Sequence, residues 1–301
     1  MHSKSGVRVV AARRRSWRAA VAAGSASASA APGVQINVLS TRADLVSDGQ
    51  ALTSISLPTG TDPSTVTVTL NGTNVTSQFA ERANGEFEGL LTGLVDGSNT
   101  VEGALPDGAS ASSMIINHPI GGPMFSGPQV QPWVCQSGAT DAQCDAPTTY
   151  AYYYMPAVDQ AALNSAAGPT DHSDLFQSYD PSNPPPSAAI ATVTTDNGAT
   201  LPYIVRVETG YLHRDQYSIA MLWQPGQSWA PWAPQQQWDH KLAITHGASC
   251  GDDHTTATAP STEYDPALSR GMAVMSTAMD NAGHDCSVLT EAESLIMAKS
   301  A

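Results

Sequence analysis

Five Asx-Gly dipeptides, Asp48-Gly49, Asn71-Gly72, Asn84-Gly85, Asp96-Gly97 and Asp107-Gly108, fall between short segments in which apolar and polar residues alternate. The segments are VQINVLS, ALTSISLP, STVTVTLNG, GEFEGLL, NTVEGAL and SSMIINHP, spread from Val34 to about His118. A period of two buries one face of an extended chain, and an Asx-Gly pair supplies the positive φ that a tight reversal needs. Residues 34–118 therefore read as a small β-sandwich of immunoglobulin-like type. No grouping of aromatic or ionisable residues in this stretch suggests a site, so packing against a neighbouring domain is its expected role.

Residues 119–149 differ in character. The run PIGGPMFSGPQVQPWVCQSGATDAQCDAPTTYAYYYMP is rich in Gly and Pro, yet it holds Trp133 and, at its end, Tyr150, Tyr152, Tyr153 and Tyr154. Loose linkers seldom carry so many aromatics, so 119–149 is expected to be an ordered crossing laid against a second domain, residues 150–301. The tyrosine run is expected to be a buried strand. Residues 157–186 form a polar excursion ending in DPSNPPPS, which suits neither a helix nor a central strand. Short antiparallel strands resume as AAIATVTT, LPYIVRVETGYL and YSIAMLWQP, separated by DNGAT and HRDQ. Trp229, Trp232 and Trp238 then stand among prolines, where packing is again the expected role.

The last sixty or so residues read as strand KLAITHG, loop, short helix DPALSR, strand GMAVMSTAM, loop, and helix TEAESLIMAKS. Alternation of strand and helix is the signature of a parallel α/β sheet. Asp285 or Ser287 is placed to cap the final helix, with Glu291 and Glu293 early and Lys299 late, as the helix dipole prefers. One or two parallel strands with a terminal helix would be an under-built sheet, so the chain is expected to be the N-terminal part of something longer.

Charge excludes some partners. Lys4, Arg8, Arg13, Arg14, Arg15 and Arg18 all precede the first acid, Asp44, and without them 7 basic residues face 27 acidic ones. Such a surface repels phosphate backbones and anionic membranes, so nucleic-acid binding is not expected. The early cations precede a short, weakly apolar stretch and a small-residue site near Ala28-Ser29-Ala30, so residues 1–33 look like a bacterial export signal or a disordered tail. No apolar run of about 18 residues occurs, so no membrane span is expected. A secreted chain with four cysteines favours disulfides: Cys135 with Cys144 is the simplest local pair, leaving Cys250 for Cys286, although four cysteines allow three connectivities.

One stretch invites chemistry. ITHGASCGDDH, Ile244 to His254, follows a strand-like run and contains Gly247-Ala248-Ser249-Cys250-Gly251, which fits the G-x-S-x-G pattern of a serine nucleophile elbow. An elbow needs a helix directly after the serine, so that the helix N-terminus faces the developing charge. The residues after Gly251, DDHTTATAPSTEYDP, hold threonines and prolines that disfavour one. A second kind of loop suits His246-Gly247-Ala248-Ser249 better. After an earlier strand of such enzymes, a turn of small residues offers backbone N–H groups to the oxyanion. Gly247 and Ala248 are the oxyanion-loop candidates, and Ser249 is the less favoured nucleophile candidate.

The stretches NHPIGGPMFSGPQVQPWVC, DAQCDAPTTY, LPYIVRVETG, PWAPQQQWDHKLAITHG and SRGMAVMSTAMDNAGHDC resemble the N-terminal half of an uncharacterised family of secreted bacterial proteins. The resemblance runs from about Val34 to the last residue. It implies an immunoglobulin-like domain followed by the first half of an α/β-hydrolase-like mixed sheet. It also implies that the strand at Lys241 to Thr245 leads into a Gly-rich loop ending in Cys, which puts Ser249 in the oxyanion loop. The helix from Glu291 to Ser300 would lead to a further strand, and a Gly-Cys-Ser-Gly-Gly-type elbow would follow beyond residue 301. His246 and Ser249 depart from the family pattern that the resemblance implies, which tends to an aromatic or other residue at the first place and a glycine at the second.

Other chemistries fit less well. His246, Cys250, His254 and Cys286 offer two imidazoles and two thiolates, but at the spacing of no strong zinc motif, and export favours oxidised cysteines. Asp252-Asp253 is a loose acidic pair of the kind usually found in solvated loops, not a calcium loop. His254 or His284, with Asp252, Asp253 or Asp285, precedes any nucleophile beyond the chain, against the order of an α/β-hydrolase triad. No metal or cofactor is therefore expected. The expected activity is ester hydrolysis by the full-length protein, on a small-molecule or polymeric ester, with this chain alone inactive. The alternative is a non-catalytic secreted binding module whose aromatics, Tyr150 to Tyr154 and Trp229 to Trp238, form a ligand face.

Overall fold

Alternation and tight reversals build the first part of the chain. In the computed structural model, which describes residues 33–120, 122–125, 127, 131–157, 171–212, 214–245, 254–280 and 288–300, all six alternating segments contain strands. One sheet has β1 (Gln35–Val38), β3 (Gln50–Ser56), β7 (Phe87–Thr92) and β6 (Phe79–Glu81) in that order. The other has β2 (Val46–Ser47), β9 (Ser110–His118), β8 (Gly97–Ala104), β4 (Thr67–Leu70) and β5 (Thr73–Asn74). Asn71 and Gly72 both adopt positive φ, the backbone that lets a two-residue reversal between the paired β4 and β5 match the strand twist, and Asp48 and Gly49, also at positive φ, carry the chain from β2 in one sheet to β3 in the other. The alternating apolar residues of both sheets meet in one core of Val46, Ile55, Val68, Leu91, Val101 and Ile115.

The second part centres on a six-stranded sheet. Its order is β11 (Gln177–Ser178), β10 (Thr149–Tyr154), β14 (Ile204–Leu212), β15 (Asp215–Leu222), β17 (Ala273–Thr277) and β16 (Leu242–Ile244). A separate ribbon pairs β12 (Thr192–Thr194) with β13 (Thr200–Pro202). Along β14 and β15 the side chains alternate between two buried environments. Val205, Val207, Ala220 and Leu222 point to one face with Val274, under Ala267 and Leu268 of the short helix α1 (Asp265–Leu268). Leu212, Tyr217 and Ile219 point to the other with Met275, under Met297 and Ala298 of α2 (Val288–Ser300).

This arrangement overturns the expected fold class. The chain is β-rich, with four sheets and, among the described residues, two α-helices, the first only four residues long. It is not an immunoglobulin-like sandwich joined to the first half of an α/β-hydrolase sheet. Within the six-stranded sheet only β16 and β17 run parallel, while β10, β11, β14, β15 and β17 pair antiparallel. The sequence signal misled because one parallel pair and one terminal helix produce the same local alternation as the start of a parallel sheet. Of the described chain between β16 and α1, residues 254–264 hold one bridge, at Thr255, and no helix, consistent with their threonines and prolines. The tyrosine run is a strand, but not a buried one: Tyr150 is 53% exposed, and Tyr152, Tyr153 and Tyr154 are half-buried.

Candidate functional site at the carboxyl end of the parallel strands

Parallel neighbours send the loops at their carboxyl ends to one rim, the usual place for a site. Ile244 lies opposite Met275, and the Thr245 N–H donates to the Met275 carbonyl at 2.9 Å, so the pairing continues to Thr245, the last described residue of this stretch. The sequence-predicted site residues follow directly. His246, Gly247, Ala248, Ser249, Cys250, Asp252 and Asp253 leave from β16, and His284, Asp285 and Cys286 from β17. All of them lie outside the described residues, as does the expected Cys250–Cys286 pair.

The described flanks of the rim are built from three directions. Because β15 runs antiparallel to β17, it begins here, with Asp215 and Gln216, just after Arg214. Gln216 joins two segments: its carbonyl accepts from the Ala278 N–H at 2.8 Å, and its Oε1 accepts from the Ala259 N–H at 2.8 Å. The crossing segment supplies a second wall. Val134 and Thr255 form a parallel bridge, with Val134 N–H to His254 carbonyl at 2.8 Å and Thr256 N–H to Val134 carbonyl at 3.0 Å. Trp133 donates from Nε1 to Thr256 Oγ1 at 3.1 Å, and the Arg214 guanidinium lies 5.1 Å from the centre of the Trp133 ring. Cys135 and Cys144 are disulfide-bonded, the local pairing expected from their spacing.

The third wall is a buried carboxyl. Asp215 is 1% exposed, accepts from the Met279 N–H at 2.9 Å through Oδ1 and from the Ser294 hydroxyl of α2 through Oδ2. Ser294 Oγ and Thr277 Oγ1 are 2.6 Å apart, and Thr277 Oγ1 accepts from the Asp280 N–H at 3.2 Å. A consistent donor chain runs from the Asp280 amide through Thr277 and Ser294 to Asp215. Burial raises the Asp215 pKa to about 6, against the lowering effect of the Ser294 and Met279 hydrogen bonds, and the Asp280 charge pushes the same way as burial. One residue along, the buried Glu293 accepts from the Met124 N–H at 2.6 Å and the Phe125 N–H at 3.3 Å, which ties α2 to the crossing.

A second buried carboxylate lies at the other end of the sheet. Asp265, at the start of α1, accepts from the Tyr203 hydroxyl at 2.6 Å, and its Oδ2 is 3.3 Å from Nδ1 of His172. Its own N–H donates to Ser173 Oγ at 3.0 Å. Burial first, and then the Asp265 carboxylate, push the Tyr203 hydroxyl well above its ordinary pKa, so it stays protonated and donates. Sequence reasoning singled out neither carboxylate cluster. His172 and Asp265 are 93 residues apart and share no motif, and Asp215 sits in HRDQ, which reads as a turn.

The aromatic residues proposed as a ligand face are engaged within the chain. The Arg206 guanidinium lies 4.8 Å from the Tyr150 ring centre and 3.7 Å from that of Trp229, while Arg82 covers Trp232 at 3.8 Å. Tyr152 packs on Trp223 with ring centres 4.6 Å apart, and Trp238 Nε1 donates to the Lys241 carbonyl at 3.1 Å. Among the described residues, no serine hydroxyl is hydrogen-bonded to a histidine ring, and no group of three or more His, Cys, Asp or Glu residues is arranged to hold a metal. Also among them, no helix is long and apolar enough to cross a membrane.

The model of a tannase-like family of unknown function matches residues 36–301. No curated protein matches the chain.

Proposed function

The chain belongs to the tannase-like family of unknown function, and from that premise we propose that it is part of a carboxylic-ester hydrolase working outside the cytoplasm. The family match, which covers nearly the whole chain, is the observation that carries this reading. Two features support the compartment: the basic, small-residue N-terminus and the oxidised Cys135–Cys144 pair, which suits an oxidising environment.

In this reading a serine attacks the ester carbonyl, expels the alcohol and leaves an acyl-enzyme that water then hydrolyses. The backbone N–H groups of Gly247 and Ala248 stabilise the negative oxygen of the tetrahedral intermediate. Small side chains permit the close approach this needs. Ser249 is a bystander, because prolines and threonines follow where an elbow needs a helix. The substrate is a small-molecule or polymeric ester. With Ser249 a bystander, the reading has residues 1–301 on their own turn over no p-nitrophenyl ester.

Fluorophosphonate labelling of the native, full-length protein, followed by peptide mapping, tests this. An adduct on a serine other than Ser249, together with ester turnover, is the expected result. An adduct on Ser249 overturns the assignment of the loop. Absence of both adduct and turnover overturns the hydrolase reading.

A further inference from the structure

We propose that the loop joining β15 to β16 carries a binding subsite for a neutral saccharide, apart from the rim at which ester chemistry is placed and independent of the hydrolase reading.

Because β15 begins at the rim, the loop that leaves its last residue, Leu222, lies at the opposite end of the sheet. A cleft of about 320 Å³ opens there, within the size range of small-ligand sites. Gln227, Ser228 and Gln236 line it together with Ala233, Pro234 and Gln235.

The backbone of this loop is tied down from within. Gln235 is 4% exposed, and its Oε1 accepts from the Gln224 N–H at 2.8 Å and from Gln237 Nε2. Its Nε2 donates to the carbonyls of Gln224 and Gln227, each at 3.4 Å. Asn197 Nδ2 donates to the Gln236 carbonyl at 3.0 Å, and Ala230 and Ala233 form a bridge across the turn that holds Trp232. Guanidinium groups pin the turn on either side, Arg206 on Trp229 and Arg82 on Trp232. By contrast, the side chains of Gln227, Ser228 and Gln236 have no hydrogen-bond partner among the described residues. A fixed frame therefore presents three uncommitted polar groups to one cleft, and little ordering of the backbone opposes binding.

The chemistry of those groups selects the ligand. Each carboxamide sets an acceptor oxygen beside a donor NH2, and the serine hydroxyl both donates and accepts. Neighbouring sugar hydroxyls are donor and acceptor in the same way, so a vicinal diol makes two matched hydrogen bonds to one carboxamide. Ala233 and Pro234 supply an apolar strip for the C–H face of a sugar ring. No charged side chain lines the cleft, so an ionic ligand finds no counter-charge there. No strand edge or aromatic ring lines it either, and a peptide docking by strand addition or in an aromatic groove lacks its usual surface.

Native electrophoresis of the 1–301 chain in gels containing galactomannan, arabinoxylan or hydroxyethylcellulose tests the subsite. At least one of these neutral polysaccharides should slow the protein relative to a reference protein in the same gel. In Gln227→Ala/Gln236→Ala the affinity should fall at least about tenfold, the effect of losing hydrogen bonds from two side chains. The thermal midpoint of that variant should stay where it is, since neither side chain has a partner to lose. Should the midpoint fall, Ser228→Ala decides, with an expected loss of affinity of roughly fivefold. Retardation by none of the three polysaccharides overturns the proposal, and so does retardation that survives these substitutions unchanged. Binding of a Gly-Ser repeat peptide in place of the polysaccharides, read by calorimetry, marks a peptide site and overturns the saccharide assignment. Because binding is read without ester turnover, failure here and failure of the hydrolase reading are separate results.

Discussion

The indole Nε1 of Trp133 donates to Thr256 Oγ1 at 3.1 Å, across 123 residues of chain. This bond, with the Val134–Thr255 bridge beside it, docks residues 133–134 against residues 254–256. The Cys135–Cys144 disulfide lies immediately after, so the staple is adjacent to the dock it steadies. Replacing both cysteines by serine should destabilise the protein by about 2–3 kcal/mol, the loop-closure entropy for a short ring. Equilibrium urea unfolding reads this, and limited proteolysis should show new cleavage near residues 131–145. An unchanged unfolding midpoint would mean that the segment is held by its other contacts alone.

Tyr203 is buried and donates to Asp265. Tyr203→Phe keeps the ring, which packs edge-on against Phe176, and deletes only the donor, leaving a nearly inaccessible carboxylate oxygen one bond short. Loss of such a bond to a charged acceptor should cost about 1.5–3 kcal/mol. Thermal unfolding of the variant should show a lower midpoint. An unaltered midpoint would show that the buried bond contributes nothing net.

For Asp215, folding raises the pKa from 3.8 to about 6, so the folded state binds its proton more tightly than the unfolded state does. The stability this contributes is fully present below pH 3.8 and is lost as pH rises through about 6. The amount lost is about 3 kcal/mol, because each tenfold gain in proton affinity corresponds to roughly 1.4 kcal/mol. Asp215→Asn lacks the titration. Its stability relative to the unsubstituted protein should therefore improve by about that much between pH 4 and pH 8, as measured by urea midpoints across the range. A constant difference between the two proteins would contradict the raised pKa.

Gly210 on β14 lies against the ring of Tyr217 on β15 so closely that a Cβ would overlap the phenol. Tyr217 is buried and its hydroxyl donates to Glu208 at 3.1 Å, which limits its escape. Gly210→Ala should cost about 1–3 kcal/mol, the usual penalty for overpacking. Chemical denaturation of this variant beside Gly210→Ala/Tyr217→Phe locates the cause. Partial recovery in the double variant is expected, because the phenol oxygen is among the atoms overlapped, whereas no loss in Gly210→Ala would show that the ring can move aside.

How much was legible in the sequence differs between the two parts of the chain. The strands of the sandwich were readable because a period of two and an Asx-Gly reversal are properties of neighbouring residues, and the Cys135–Cys144 pair because it closes a short local ring. In the second part the strands KLAIT, LPYIVRVETGYL, YSIAMLWQP and GMAVMSTAM were also readable, as were the antiparallel relation of β14 to β15 and the parallel one of β16 to β17, but the way the two pairs join in one sheet was not. Antiparallel pairing of β15 with β17, across an interval that contains β16, depends on where the chain crosses, which no local pattern records.

The sequence by itself determined where the longer strands and the final helix lie and that Cys135 joins Cys144, since each follows from residues a few positions apart, but it marked none of β2, β5, β6 and β11. Only the tertiary structure decided that the sheet is mostly antiparallel, that His172 meets Asp265, and that Asp215, in a stretch that reads as a polar turn, is a buried carboxyl under α2. Burial is a relation between distant segments. It is also what raises the Asp215 pKa and keeps the Tyr203 proton in place, so the chemistry of these groups came into being with the packing.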